Sequence, residues 1–282
     1  MNVKVRLLFK ILIIGEILIT GNCTDPIEND TGFKMTVVDV GQGLAQFGTC
    51  GGKAVLWDLG TADSFRNVSA EYVRLGKPQI MCIAISHSDL DHCGGLAVLD
   101  STINWNGKLV VHPGEDTAYL RSLSDYWREK IAFVFVEKGE TIDCLDNVAI
   151  TCIWPSKGAV DTMLADSKNA ASFVFMVTHG NNRCLITSDI DSISQKQLLY
   201  ENDNISAELF IAPHHGSNNF SPLFMQYVNP DHAVISCSSD NSYGHPSGRL
   251  LSYLLYMNTE IHLTFSSGSA TFVSNAFYWL SE

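Results

Sequence analysis

The chain has no pair of cysteines at Cys-x-x-Cys spacing, which excludes a zinc knuckle or a thioredoxin-type redox motif. Its cysteines, Cys23, Cys50, Cys82, Cys93, Cys144, Cys152, Cys184 and Cys237, are scattered. Several stand in apolar runs such as Ile80-Met-Cys-Ile-Ala-Ile85, where a small buried thiol is expected. A disulfide framework is not expected in a chain of 282 residues that can build its own core. Positive charge is scarce as well, with 18 Lys and Arg against 30 Asp and Glu and a formal net charge of -12. Proteins that grip nucleic acid by sequence-blind phosphate contacts carry a basic face. No Lys/Arg cluster of that kind is present, so no extended basic nucleic-acid-binding surface is expected. A polyanionic substrate stays open, because divalent cations in a site create their own positive field. Beyond the N-terminal segment, no uninterrupted apolar stretch reaches the ~20 residues that span a bilayer. Internal repeats and low-complexity tracts are also absent.

What is present suits a folded domain. Hydrophobic residues make up 46% and charged residues 17%, enough for a sizeable core. Residues 32–282 read as one domain preceded by a leader and linker, residues 1–31. In that leader Lys4, Arg6 and Lys10 precede the apolar run Ile11 to Thr20, which ends near Gly21-Asn22-Cys23. This resembles a signal peptide with Cys23 as a lipid-bearing residue. Glu16 inside the run and Asn22 before the cysteine count against it. Two readings stay open: exported or lipid-anchored if residues 1–23 act as a signal, cytoplasmic otherwise.

Strand patterns recur along the domain. They are expected at Lys34–Val40, Leu44–Phe47, Lys53–Asp58, Gln79–Ile85, Leu109–Val111, Ala132–Val136, Ala149–Ile153, Ser172–Val177 and Cys184–Thr187. Others follow at Leu209–Ile211, Ala233–Ser236, Ile261–Phe265 and Thr271–Val273. Helices are expected over Asn67–Leu75, Ala118–Glu129, Ser192–Tyr200, Pro222–Tyr227 and Gly248–Tyr256. Many strands with interspersed helices imply an α/β fold of sheets covered by helices.

Chemistry concentrates where strands end. Ile85-Ser-His-Ser-Asp-Leu-Asp-His-Cys-Gly-Gly-Leu96 follows a buried strand and places His87, Asp89, Asp91 and His92 within six residues. Mixed imidazole and carboxylate donors suit Zn²⁺, Mn²⁺ or Fe²⁺ better than an all-sulfur site does. Leu185-Ile-Thr-Ser-Asp189, Leu209-Phe-Ile-Ala-Pro-His-His-Gly-Ser217 and the Tyr243-Gly-His-Pro246 turn likewise follow apolar strands. Each alone reads as a turn; four together converge if their strands lie side by side with one polarity. His112, His179, His232 and His262 have no motif around them and read as structural. Trp57, Trp105, Trp127 and Trp154 read as core or pocket wall.

Together these segments, with Val38-Asp-Val-Gly-Gln-Gly43, Leu56-Trp-Asp-Leu-Gly60 and Asn169-Ala-Ala-Ser172, resemble the metallo-β-lactamase superfamily. More narrowly, they are similar to the hydrolase domain of the DNA-uptake protein ComEC and its stand-alone relatives. The resemblance runs from about residue 34 to 248 and implies an αββα sandwich with one or two divalent metal ions, Zn or Mn. His87, Asp89, Asp91 and His92 match the first metal motif, with Asp89 where the wider superfamily has a second histidine. Asp189 matches the aspartate expected to bridge two metals. His214 or His215, and His245, match later histidine positions; which of the pair ligates stays open. His214 is taken as a donor, and His215 with Asp91 and Ser217 as catalytic groups. Asn169 falls where other branches supply a histidine. Asp39 and Asp58 are expected to accept hydrogen bonds from ligand N–H groups. Ser188 departs from the pattern, which has Gly before the aspartate. The implied activity is a metal-dependent hydrolase that activates water to cleave a phosphodiester in DNA, RNA or a nucleotide. Two alternatives are a carbonyl hydrolase (lactone, thioester or β-lactam) and a non-catalytic metal-binding module.

Overall fold

The computed structural model describes residues 32–163, 167–202 and 204–282. The signal-like leader and Cys23 lie outside the described residues. The first half of the domain lays down six strands: β1 (Phe33–Val37), β2 (Ala45–Cys50), β3 (Lys53–Leu59), β4 (Gln79–Ala84), β5 (Lys108–Val111) and β6 (Ala132–Phe135). The next six form a second sheet: β7 (Val148–Trp154), β8 (Val174–His179), β9 (Asn182–Ile186), β10 (Leu209–Ile211), β11 (His232–Ile235) and β12 (Glu260–Leu263). The chain then returns to the first sheet as β13 (Ala270–Ser274) and β14 (Trp279–Ser281). Strand orders are β14-β13-β1-β2-β3-β4-β5-β6 and β12-β11-β10-β9-β8-β7. Each six-strand run opens with two antiparallel pairings and continues parallel, so the two halves share one plan.

Alternation along the strands explains the layering. In β3, Val55 and Trp57 enter the inter-sheet core, while Ala54 and Leu56 face outward under helices. In β10, Leu209 and Ile211 face the inter-sheet core and Phe210 the other side. Three apolar layers result. One lies between the sheets, one lies under the helix Phe65–Arg74 and its neighbours, and one lies under Ser192–Glu201, Pro222–Val228 and Gly248–Tyr256. This is an αββα sandwich. Each large side chain fully buried contributes ~1.5–3 kcal/mol of transfer free energy. Trp57, Trp105, Trp127 and Trp154 all lie in these layers, and no disulfide joins the described cysteines. No helix among the described residues is long and apolar enough to cross a membrane.

Three expectations shift. The helix expected to run to Glu129 spans only Thr117–Leu123, because Ser124 turns extended and its hydroxyl accepts the Trp127 N–H at 3.0 Å, starting a new turn. The strand expected to reach Phe265 stops at Leu263, and Thr264–Ser267 coils into one helical turn. β14 was not anticipated.

Gly95, in the turn after His92, fits against β3. A Cβ built there would lie 2.7 Å from both the Leu59 carbonyl oxygen and the Leu59 Cβ. Gly95→Ala is therefore expected to destabilise by ~1–3 kcal/mol through overpacking. Gly158→Ala, where a Cβ meets nothing within 4 Å, should be neutral or slightly stabilising. Urea unfolding of both variants checks the contrast.

Candidate metal centre

β3 and β4 are parallel neighbours, so their C-terminal ends emerge side by side. β3 delivers Asp58, whose backbone is left-handed (φ 53), a conformation that costs a non-glycine residue about 1–2 kcal/mol. The buried carboxylate accepts the Ser86 N–H at 2.8 Å through Oδ1 and the Ser86 hydroxyl at 2.8 Å through Oδ2. His92 Nδ1 lies 2.7 Å from the same Oδ2. That contact fixes the ring and turns Nε2 toward the second sheet. The expectation for Asp58 is met in this geometry. Asp39 instead accepts the Gly41 N–H at 3.2 Å within its own turn. Ser86 was missed by sequence reasoning, although its place directly before His87 at a strand end was a usable signal. Asp89 starts the short helix Leu90–Cys93, its carbonyl accepting the N–H groups of His92 and Cys93.

The other donors come from the second sheet, so the four segments do not share one sheet as the simplest convergence required. β9, β10 and β11 are parallel neighbours there, and their C-terminal ends face the β3–β4 edge across the sandwich. Asp189 follows β9. Its N–H donates to the Ser172 hydroxyl at 3.1 Å, tying it to the segment that carries Asn169. Ser188 before it is left-handed (φ 43), which explains physically why glycine suits that position. After β10, His214 and His215 are both left-handed (φ 51 and 54) and Gly216 follows at φ 84. This turn carries the second ring inward. His215 Nδ1 donates to the Ser236 carbonyl at 3.0 Å, and the Ser236 hydroxyl donates to the Gly43 carbonyl at 2.8 Å. Gly43 must lack a side chain, since a Cβ would sit 2.6 Å from the Asp91 carbonyl.

The result is a compact cluster. His92 Nε2 lies 3.2 Å from Asp189 Oδ1. His215 Nε2 lies 3.5 Å from Asp189 Oδ2 and 3.4 Å from Asp91 Oδ2. His87 Nε2 lies 3.5 Å from Asp89 Oδ2. Two donor groups emerge, His87–His92–Asp189 and Asp91–His92–His215, sharing His92. The two members of the histidine pair are placed differently. His215 stands among the carboxylates, while His214 Nε2 is 4.0 Å from Asp189 Oδ2 and a third of its side chain is exposed. His245 stacks beyond them, 5.7 Å from the His214 ring centre and 6.4 Å from that of His215. The Ser217 hydroxyl accepts the Asn219 N–H at 3.1 Å. His112 and His179 are buried with structural partners, Glu115 at 3.3 Å and the Ser274 hydroxyl at 2.9 Å.

Electrostatics tie the cluster together. Burial opposes charge on Asp189, but His92 and His215 hold its carboxyl well below the usual range. Burial likewise opposes protonation of His215, yet Asp189 and Asp91 push it up to about 9. For His92, Asp189 and Asp58 outweigh burial in the same direction. A divalent cation suits this arrangement. The Nε2 atoms of His87, His92 and His215 and Oδ1 of Asp189 are buried with no hydrogen-bond partner. Leaving such groups unsatisfied costs about 1–3 kcal/mol each, and cations bound in the two donor groups would satisfy them.

A family model for the metallo-beta-lactamase superfamily matches residues 50–219. The chain belongs to the metallo-β-lactamase superfamily. Among curated proteins it is 30% identical over 224 residues to the uncharacterized protein YcaI of Escherichia coli, covering 77% of this chain and 27% of that protein. It is 25% identical over 220 residues to the competence protein ComA of Neisseria gonorrhoeae, covering 76% and 28%. It is also 25% identical over 200 residues to ComE operon protein 3 of Bacillus subtilis, covering 69% and 24%. The chain thus spans about a quarter of the length of these relatives. The fold is shared with the metallo-beta-lactamase fold protein YhfI of Bacillus subtilis (TM-score 0.56, 12% identity, 86% of this chain and 100% of that one). It is shared too with Zn²⁺-bound PqqB of Methylobacterium extorquens (TM-score 0.53, 10% identity, 84% and 99%). The superfamily binds divalent metals, and the cluster at the sandwich edge is where this member has the donors to do so.

Asp58 orients His92 without reaching the donor cluster itself. Asp58→Asn is therefore expected to weaken Zn²⁺ or Mn²⁺ binding by about 10-fold or more, whereas Asp39→Asn should leave it unchanged. Competition with a chromophoric chelator measures both.

Proposed function

We propose that the chain is a metal-dependent phosphodiesterase or nuclease. The observation that carries this reading is Asp189, buried among imidazoles of both donor groups at an end of the sandwich where Asp89 and Asp91 remain partly exposed. The names of the relatives, a competence protein and a ComE operon protein, support a nucleic-acid substrate over a carbonyl one. The acidic surface favours local recognition of a phosphodiester over wrapping of a long duplex.

His87 and Asp189, with Asp89 beside His87, would hold one ion, and Asp91 and His215 a second, His92 being within reach of either group. When bound, such ions polarise a phosphoryl oxygen and lower the pKa of water toward ~7. The protein's own groups do the rest. Asp91 is about one-third exposed and lies on the open side. Burial would raise its pKa, but His215 and His92 hold the carboxyl below its usual range, so it is ionised at neutral pH. It can orient the attacking water and accept its proton. Lys168 Nζ, 3.9 Å from Asp89 Oδ1, supplies positive charge at the rim for a non-bridging oxygen. The Ser217 hydroxyl, accepting from Asn219, keeps its own proton to donate to the same group. Beside the centre lies a polar cleft of about 520 Å³ lined by Gln42, Arg66, Asn67 and Ser238. It shares the Gly41–Gly43 turn with the site and has room for a flanking nucleotide.

Metal-stripped full-length protein given Mn²⁺ or Zn²⁺ should cleave bis(p-nitrophenyl) phosphate and leave nitrocefin intact. Asp91→Ala should lower the rate by about 10²–10⁴. Stoichiometric metal with no phosphodiester cleavage would sink the proposal, and nitrocefin turnover would move the chain to carbonyl substrates.

A further inference from the structure

His232 and His262 stand 30 residues apart with no motif around either. The sheet brings them together at the end opposite the centre described above. β11 and β12 pair in parallel with His232 opposite Glu260 and Val234 opposite His262. Alternation therefore puts His232, Glu260 and His262 on one face at the N-terminal ends of both strands. β12 is the outermost strand of the second sheet.

We propose that His232, Glu260 and His262 form a second divalent-metal site, of the zinc class, that clips edge strand β12 to β11. His232 Nδ1 lies 3.4 Å from Glu260 Oε2. His262 Nε2 lies 3.6 Å from Glu260 Oε1 and 3.5 Å from His232 Nδ1. Strong charge-assisted hydrogen bonds would draw such atoms to ~2.7–2.9 Å. Donors on a tetrahedral Zn²⁺ at ~2.0–2.1 Å stand about 3.3–3.4 Å from one another. The imidazole–imidazole separation is close to that edge, and each imidazole lies near it from one of the two Glu260 oxygens, so a turn of the exposed carboxylate would bring a single oxygen to both. The rings are also held in place, since Phe272 of β13 packs against both at 5.3 and 5.0 Å between ring centres.

Charge and access agree with the geometry. Glu260 is mostly exposed, so its carboxylate can adjust to an ion. His232 also lines a cleft of about 320 Å³ with Asn182, Glu208, Asp231 and Trp279. The cleft's carboxylates attract cations, and it has room for a water as fourth donor. Parallel edge strands expose unpaired backbone groups, and a metal bridging the last two strands would resist fraying there.

The test is equilibrium dialysis of the full chain against Zn²⁺ with elemental analysis. It uses wild type, the double variant His232→Gln/His262→Gln, the centre variant Asp189→Asn, and their combination. Circular dichroism confirms folding. Wild type should bind one more zinc per chain than the double variant, and that one-equivalent difference should persist in the Asp189→Asn background. Zinc should also raise Tm further in wild type than in the double variant. Equal stoichiometry and equal Tm shifts would overturn the proposal. Should the double variant fail to fold, exposed Glu260→Gln decides: at least a tenfold loss of affinity in the Asp189→Asn background supports the site, and none overturns it.

Discussion

Asp58 gives both carboxylate oxygens to its neighbours, Oδ1 to the Ser86 backbone and Oδ2 to the Ser86 hydroxyl and the His92 ring. Three pieces of chain are thereby locked: the end of β3, the end of β4 and the short helix that carries Asp91 and His92. The carboxylate is almost wholly removed from water, so its charge is stabilised only by these partners. Its own left-handed backbone adds strain that the hydrogen bonds offset. From this anchor the rest of the centre follows. His92 faces Asp189, Asp189 faces His215, and His215 is held by Ser236, which reaches back to Gly43 beside Asp91. The circuit starts in the first sheet, crosses to the second and returns.

The two sheets therefore meet in the chemistry as well as in the core. Neither half holds a whole candidate donor group of the centre. His87, Asp91 and His92 come from the first six strands, and Asp189 and His215 from the second. Each half places its donors after parallel strands, where loops are free to vary while the sheet fixes their origin. The Ser236–Gly43 hydrogen bond and the Phe173 N–H to the Ser86 carbonyl sew the halves together beside the site.

Much of this was legible in the sequence, for identifiable reasons. Apolar runs such as Ile80–Ala84 and Cys184–Ile186 stand out because both faces of their strands are largely buried. The donor segments stand out because polar residues interrupt those runs abruptly. Their arrangement in two facing sheets was not legible, because strand order is a long-range property that no local pattern carries. Which of His214 and His215 would stand among the carboxylates was hidden, because two successive left-handed residues set it, a conformation that histidine does not advertise. Phe265 lengthened an expected strand because its apolar character hides a helical turn. β14 is three residues long, and only Trp279 is buried. His232 and His262 looked solitary because they meet through the register of β11 and β12.

β1 lies between β2 and β13, and Thr36 meets Thr271 across a sequence separation of 235 residues. The first strand of the domain to leave the ribosome is thus completed by one of the last. Until β13 arrives, β1 keeps one edge of backbone donors and acceptors open, and Phe33, Met35 and Val37 wait for their cover from Phe272. At ~5–20 residues per second of synthesis, that exposure lasts on the order of ten seconds or more. The antiparallel β1–β2–β3 meander can form early, but the sandwich closes only once β13 has been made. Until then that edge is a template on which another chain's strand can pair.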